Sequence, residues 1–199
     1  IAPGDLSCVL AMPGEFDLAG RTCPVVPPPN SGSLRKGEYF AYLAQHDLLL
    51  ALPYQSINPF VDLLYEAADD PDVVSIKITL YRLAGSSRIA AALAYAAEHG
   101  KQVQCLLELR ARFDEQSNID YSRMLEDAGC DILYGLTKYK VHTKLCLITR
   151  RCPGGICYYT QVGTGNYNEK TAEQYTDLML LTSDPAIGRD AAKTFDRLA

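Results

Sequence analysis

Val73-Val74-Ser75-Ile76-Lys77-Ile78-Thr79-Leu80 decides the fold. Its β-branched and aliphatic run reads as a buried strand. Ser87 to His99, rich in alanine and ended by Gly100, reads as a helix. Val103 to Leu109 repeats the buried-strand pattern, Asn118 to Ala128 is a second helix closed by Gly129, and Asp131 to Leu136 is a third strand. Strands alternating with helices predict a largely parallel sheet with right-handed crossovers.

On the N-terminal side, Ser56-Ile57-Asn58-Pro59 opens a helix that runs to about Ala68, with Asp62 and Glu66 toward its positive end. Asp47 to Pro53 is a short apolar burst, far too short to span a bilayer. Residues 1–45 carry Pro3, Pro13, Pro24, Pro27, Pro28 and Pro29 before Asn30-Ser31-Gly32-Ser33. They read as an extended lead-in with one short strand near Cys8–Ala11, ahead of a domain spanning 46–199, although organised structure begins near Tyr39. Beyond Gly135 the helical pattern stops. Lys140 to Arg150, Ile156 to Gly163 and Tyr175 to Thr182 read as strands, joined by the Pro153-Gly154-Gly155 turn and the Gly163–Lys170 loop. Asp184-Pro185 opens a last helix through Arg197. The fold class is therefore α/β, a mixed sheet flanked by helices. No internal repeat is present.

Length and composition fit one such domain: 199 residues, 48% apolar and 22% charged. A net charge of −5 provides no global basic field, which argues against a nucleic-acid partner and requires any polyanion site to be a local cluster of Arg and Lys. The chain begins at Ile1 with no secretory signal, and reads as a piece of something longer. Its seven cysteines (8, 23, 105, 130, 146, 152 and 157) are odd in number and form neither a C-x-x-C pair nor a zinc spacing. A reduced, cytoplasmic protein is the resulting reading, with Cys152 and Cys157 unpaired although they flank a turn.

The chemistry concentrates in Val141-His142-Thr143-Lys144. On a strand, His142 and Lys144 share one face, with Val141 and Thr143 on the other. Two basic side chains on a half-buried face invite an anion, since a buried lysine needs a partner. Arg82 and Arg112 each follow a predicted parallel strand, on the rim where open α/β sheets bind ligands, and guanidinium forks match phosphate oxygens. Gly163-Thr164-Gly165-Asn166 can aim backbone N–H groups at the same anion, with Asn166 adding an amide. Tyr175 can stack on a base or pack at a strand edge. Glu108, Asp114 and Glu115 read as a solvated loop, and His46 and His99 carry no chemistry.

These residues match a family. Pro53-Tyr54-Gln55-Ser56, Ile78-Thr79-Leu80-Tyr81-Arg82, Glu108-Leu109-Arg110-Ala111-Arg112-Phe113-Asp114-Glu115, Val141-His142-Thr143-Lys144 and the run from Gly163 through Ala172 to Tyr175-Thr176-Asp177 resemble the long-chain polyphosphate kinases of bacteria. The resemblance covers about residues 35–199, the first of two phospholipase-D-like catalytic domains. It implies ATP, ADP and inorganic polyphosphate as partners, Mg²⁺ as cofactor, a homo-oligomeric parent, and a cytoplasmic site that includes the membrane surface. It implies that His142 becomes phosphorylated and that Lys144 assists. Arg82 and Arg112 match the arginines associated with magnesium, which act through phosphate because a guanidinium cannot ligate a cation. Tyr175 matches a nucleotide-contacting tyrosine, and Gly163, Thr164, Gly165 and Asn166 a phosphate-contacting loop. Two departures stand out. Ala51-Leu52 precedes the Pro-Tyr motif where the family carries a polar pair, and Thr149 stands five residues after Lys144, where the phospholipase D signature has an aspartate. The kinases lack that aspartate too. The rivals are a phospholipase-D-type phosphodiesterase or nuclease half-site, and a polyphosphate-binding domain without turnover of its own.

Overall fold

The computed structural model describes residues 34–81, 87–108, 115–135 and 140–198. Arg82, Arg112, Asp114 and the proline-rich stretch to Ser33 lie outside them.

Val73–Leu80 forms strand β2, flanked by helix α2 (Asn58–Asp69) and helix α3 (Arg88–Glu98). Strands β3 (Gln102–Leu107) and β4 (Asp131–Tyr134) follow, separated by helix α4 (Glu115–Asp127). These three strands pair in parallel, β2 with β3 and β3 with β4. Ser87 caps α3 by accepting the Ala90 N–H at 3.2 Å. Gly100 and Gly129 end the two crossover helices at φ +80° and +93°, conformations that a side chain disfavours.

The other half is antiparallel. Strands β5 (Leu145–Cys152), β6 (Gly155–Gly163) and β7 (Asp177–Thr182) zigzag back from β2, and β1 (Leu48–Leu52) closes the far edge against β7. The sheet order is β1-β7-β6-β5-β2-β3-β4. A one-turn helix, α5 (Glu169–Ala172), interrupts the expected Gly163–Lys170 loop, because Asn168 accepts from the Lys170 and Thr171 N–H groups at 3.1 Å each. Helix α6 (Pro185–Leu198) ends the chain.

Helices cover both faces. Cys146 and Ile148 of β5 join the main core with Phe60, Leu64, Ile89 and Leu93 of α2 and α3. The alternate residues Leu145 and Leu147 meet Ala191 and Phe195 of α6. Gly188 lets α6 approach β6 so closely that a Cβ there would enter the Tyr158 side chain.

The packed core reaches into the stretch expected to be lead-in. Helix α1 (Tyr39–Leu43) buries Tyr39, Phe40 and Leu43. The anchor is Glu66, 7% exposed, whose carboxylate accepts the N–H groups of Gly37, Tyr39 and Phe40 at 2.9–3.0 Å. The cysteine expectation is corrected: Cys152 and Cys157 are joined by a disulfide, while Cys105, Cys130 and Cys146 are free and buried. The tight β5–β6 turn brings the bonded pair to a Cα separation of 6.0 Å, within the span a disulfide bridges.

Candidate active site

One rim gathers the functional residues. Because β5 runs antiparallel to β2, its beginning meets the C-terminal ends of β2 and β3. The end of β6 and the beginning of β7 lie on the same rim, since Leu145 pairs with Val162 and Gly163 with Met179. Tyr81, Glu108, His142, Lys144, Gly163 and Asp177 therefore share one edge.

The strand expected to begin at Lys140 begins at Leu145. Side chains replace the ladder before it. Thr79 Oγ1 donates to the Thr143 carbonyl at 2.8 Å and accepts the Leu145 N–H at 3.1 Å. Glu108 Oε2 accepts the Val141 N–H at 3.0 Å. Residues 141–144 thus form a segment held from neighbouring strands, and the expectation of His142 and Lys144 side by side on one face gives way to a divided arrangement. The His142 side chain is exposed, whereas Lys144 is 4% exposed.

Lys144 Nζ donates to the carbonyl of His142 at 2.5 Å and lies 5.1 Å from the centroid of the Tyr81 ring. It makes no ion pair among the described residues. Burial lowers its pKa from the usual lysine range, opposed by the charge of Asp177. An ammonium has three donors, and among the described residues only one is engaged. The His142 ring sits edge-on to Tyr81, centroids 5.1 Å apart and planes at 78°.

The glycine loop is less open than expected. The Gly163 N–H donates to the Lys144 carbonyl and that of Thr164 to the Leu178 carbonyl, both at 3.0 Å. Among the described residues nothing accepts the N–H of Gly165 or Asn166, so those two amides remain for a ligand. Asn166 Oδ1 is buried without a partner there. Asp177 shapes the loop: its Oδ1 accepts from the Thr164 hydroxyl at 2.7 Å, and its carboxylate fills the space a Gly165 Cβ would need. Tyr175, 60% exposed, precedes β7 rather than beginning it, and its N–H donates to the Thr171 carbonyl at 2.9 Å.

Glu108 is corrected from solvated loop to buried carboxylate, 3% exposed. Gly135 makes room for it, with a Cβ position only 3.1 Å from Oε2. Sequence reasoning also missed Tyr81, Thr79 and Asp177 as parts of the site. The available signals were position, since each lies at or next to a strand terminus on the rim, and membership of the segments that carry the family resemblance. Arg82 and Arg112 lie outside the described residues. No group of three or more His, Cys, Asp or Glu side chains that could hold a metal ion occurs among the described residues, so these side chains form no cage for the expected Mg²⁺. No described helix is long and apolar enough to cross a membrane.

An exposed imidazole beside a buried, partly unengaged ammonium and two free amides is suited to receiving a phosphoryl group. The family model described as polyphosphate kinase C-terminal domain 1 matches residues 38–199. The chain belongs to the polyphosphate kinase family. A polyphosphate kinase of Staphylococcus haemolyticus is 45% identical over 167 residues, covering 84% of this chain and 23% of that protein. The chain thus spans about a quarter of the length of that curated relative. The crystal structure of polyphosphate kinase from Porphyromonas gingivalis superposes with a TM-score of 0.78 at 33% identity, covering 98% of this chain and 33% of that one. A phospholipase D family member from Salmonella typhimurium shares the fold at TM-score 0.60 and 14% identity, covering 77% of this chain and 93% of its own. The expected polyphosphate kinase membership and phospholipase-D-like fold are both borne out.

Proposed function

We propose that this domain carries the phosphoryl-accepting half of a polyphosphate kinase, with His142 as the nucleophile. A ring nitrogen of neutral His142 attacks the γ-phosphorus of ATP in line. An N–P bond forms as the bond to the bridging β–γ oxygen breaks, and ADP leaves with the bond's electron pair. A terminal oxygen of polyphosphate then attacks the phosphohistidine, the N–P bond breaks, the imidazole is restored and the polymer is one unit longer. Both steps run in reverse to make ATP.

The observation that carries this reading is the exposed His142 ring beside the buried Lys144 ammonium, which has two donors unengaged among the described residues. A desolvated cation fixed before the substrate arrives stabilises charge on the transferring group more effectively than one in water. The Gly165 and Asn166 amides add donors for the phosphoryl oxygens. Arg82 and Arg112 serve as phosphate clamps, Tyr175 as a base-stacking surface, and Gly163 and Thr164 as the supports of their loop. We assign Mg²⁺ to the nucleotide's own phosphate oxygens. The parent protein is a cytoplasmic homo-oligomer, where ATP is supplied, and the isolated domain has no turnover alone.

His142→Ala in the full-length enzyme is expected to abolish acid-labile labelling from γ-labelled ATP and polymer synthesis together. Acid-labile label retained at the wild-type level in that variant would overturn the assignment.

A further inference from the structure

Lys144 raises a question that its role in charge neutralisation leaves open. A buried ammonium without a carboxylate is unusual, because transfer from water is costly unless the charge is paired. Its surroundings are the His142 carbonyl, the face of Tyr81 and, through its field, Asp177. A carboxylate in direct contact would satisfy the ammonium but would also cancel the charge intended for the substrate and repel an incoming polyanion. An aromatic face attracts a cation while adding no net charge.

The same ring meets the imidazole. Tyr81 lies edge-to-face with His142, its centroid 5.1 Å from the histidine's and 5.1 Å from Lys144 Nζ. Residues 141–144 have no sheet ladder to fix them, so the backbone clamps of Thr79 and Glu108 set where Cα142 lies, but not how its exposed ring is turned. Of the side chains with described contacts, Tyr81 alone touches both groups.

We propose that Tyr81 is a positioning residue for phosphoryl transfer, holding the His142 imidazole and the Lys144 ammonium in fixed relation to each other. This rests on the reading of His142 as nucleophile. In-line attack needs the ring nitrogen opposite the departing ADP oxygen while the cation meets the equatorial phosphoryl oxygens, and a misplacement of about 1 Å can cost on the order of 100-fold in rate. Both described contacts are made by the aromatic ring, which carries the role.

The test uses the full-length enzyme and rapid-quench labelling from γ-labelled ATP across a range of ATP concentrations. Tyr81→Phe is expected to stay within about 3-fold of wild type, because both ring contacts survive. Tyr81→Leu is expected to slow phosphohistidine formation at saturating ATP by about 10- to 100-fold, with KM for ATP changed by less than about 3-fold. Tyr81→Met, similar in bulk without a π face, repeats the measurement if the leucine variant loses its fold. A leucine or methionine variant as fast as wild type overturns the inference. So does a phenylalanine variant as slow as leucine, or a loss confined to KM. His142→Ala separates the two levels: label persisting there overturns the nucleophile assignment, whereas its abolition alongside an undisturbed Tyr81→Leu overturns only the role of Tyr81.

Discussion

Replacing Lys144 by methionine should make the domain more stable while removing its chemistry. Methionine keeps an unbranched apolar stem of similar length and discards the ammonium. In the wild type Lys144 is 4% exposed and has no ion pair among the described residues. Burying such a charge costs several kcal/mol. The charge-assisted bond to the His142 carbonyl returns about 1.5–3 kcal/mol, and the Tyr81 face about 0.5–2 kcal/mol. These returns offset most of that cost, and apolar replacement of buried charged groups is stabilising by up to about 1–4 kcal/mol, so Lys144 is expected to cost the fold about 1–3 kcal/mol. In urea denaturation of the 199-residue chain, Lys144→Met should raise the unfolding free energy by that amount, and the melting temperature should rise by about 2–12 °C. The pH dependence follows from the lowered pKa. Between the folded value and the higher unfolded one, the unfolded chain binds the extra proton, so wild-type stability rises as pH climbs through that window. The advantage of the variant is therefore fullest below the window and shrinks in alkali. A variant less stable than wild type near neutrality, or one whose advantage is flat with pH, refutes the view of Lys144 as a desolvated charge.

Three further outcomes are expected. Glu66→Gln replaces one acceptor oxygen with a donor facing the part-buried N–H group of Gly37 and the buried ones of Tyr39 and Phe40, and should cost about 2–4 kcal/mol; it should also speed proteolysis near Gly37, and an unchanged denaturation curve counts against Glu66 as the anchor of α1. Gly188→Ala should lose about 1–3 kcal/mol despite alanine's better helix propensity, because its Cβ enters the Tyr158 side chain, with the melting temperature as the readout. Asp177→Asn keeps an acceptor for Thr164 but removes the charge that raises the Lys144 pKa, so the alkaline limb of phosphoenzyme formation should move to lower pH; a stationary limb excludes that coupling.

The fold was legible wherever local pattern and burial coincide. The Val73–Leu80 run, the alanine-rich α3 with Gly100 behind it and the Gly129 stop all sit within a residue or two of expectation. Expectation failed where tertiary contacts override local pattern. Lys140–Lys144 alternates like a strand, yet Thr79 and Glu108, remote in sequence, occupy the groups a ladder would use. Glu108 reads as polar and therefore solvated, but Gly135 opens a space for it. The candidate site was half visible. Histidine and lysine two apart mark the proposed chemistry, while the tyrosine that touches both shows in sequence only as a strand-end residue within a family segment. The hairpin disulfide was hidden for another reason: composition indicates a redox compartment, but only the turn sets the distance between two sulfurs.

The short segment carrying His142 owes its shape to ties made 33 and 64 residues away in sequence. No fragment of the sheet could preserve that shape, because each tie belongs to a different strand. Unfolding of either strand in the full-length enzyme should consequently release the segment, so phosphoenzyme formation is expected to fail no later than this sheet melts.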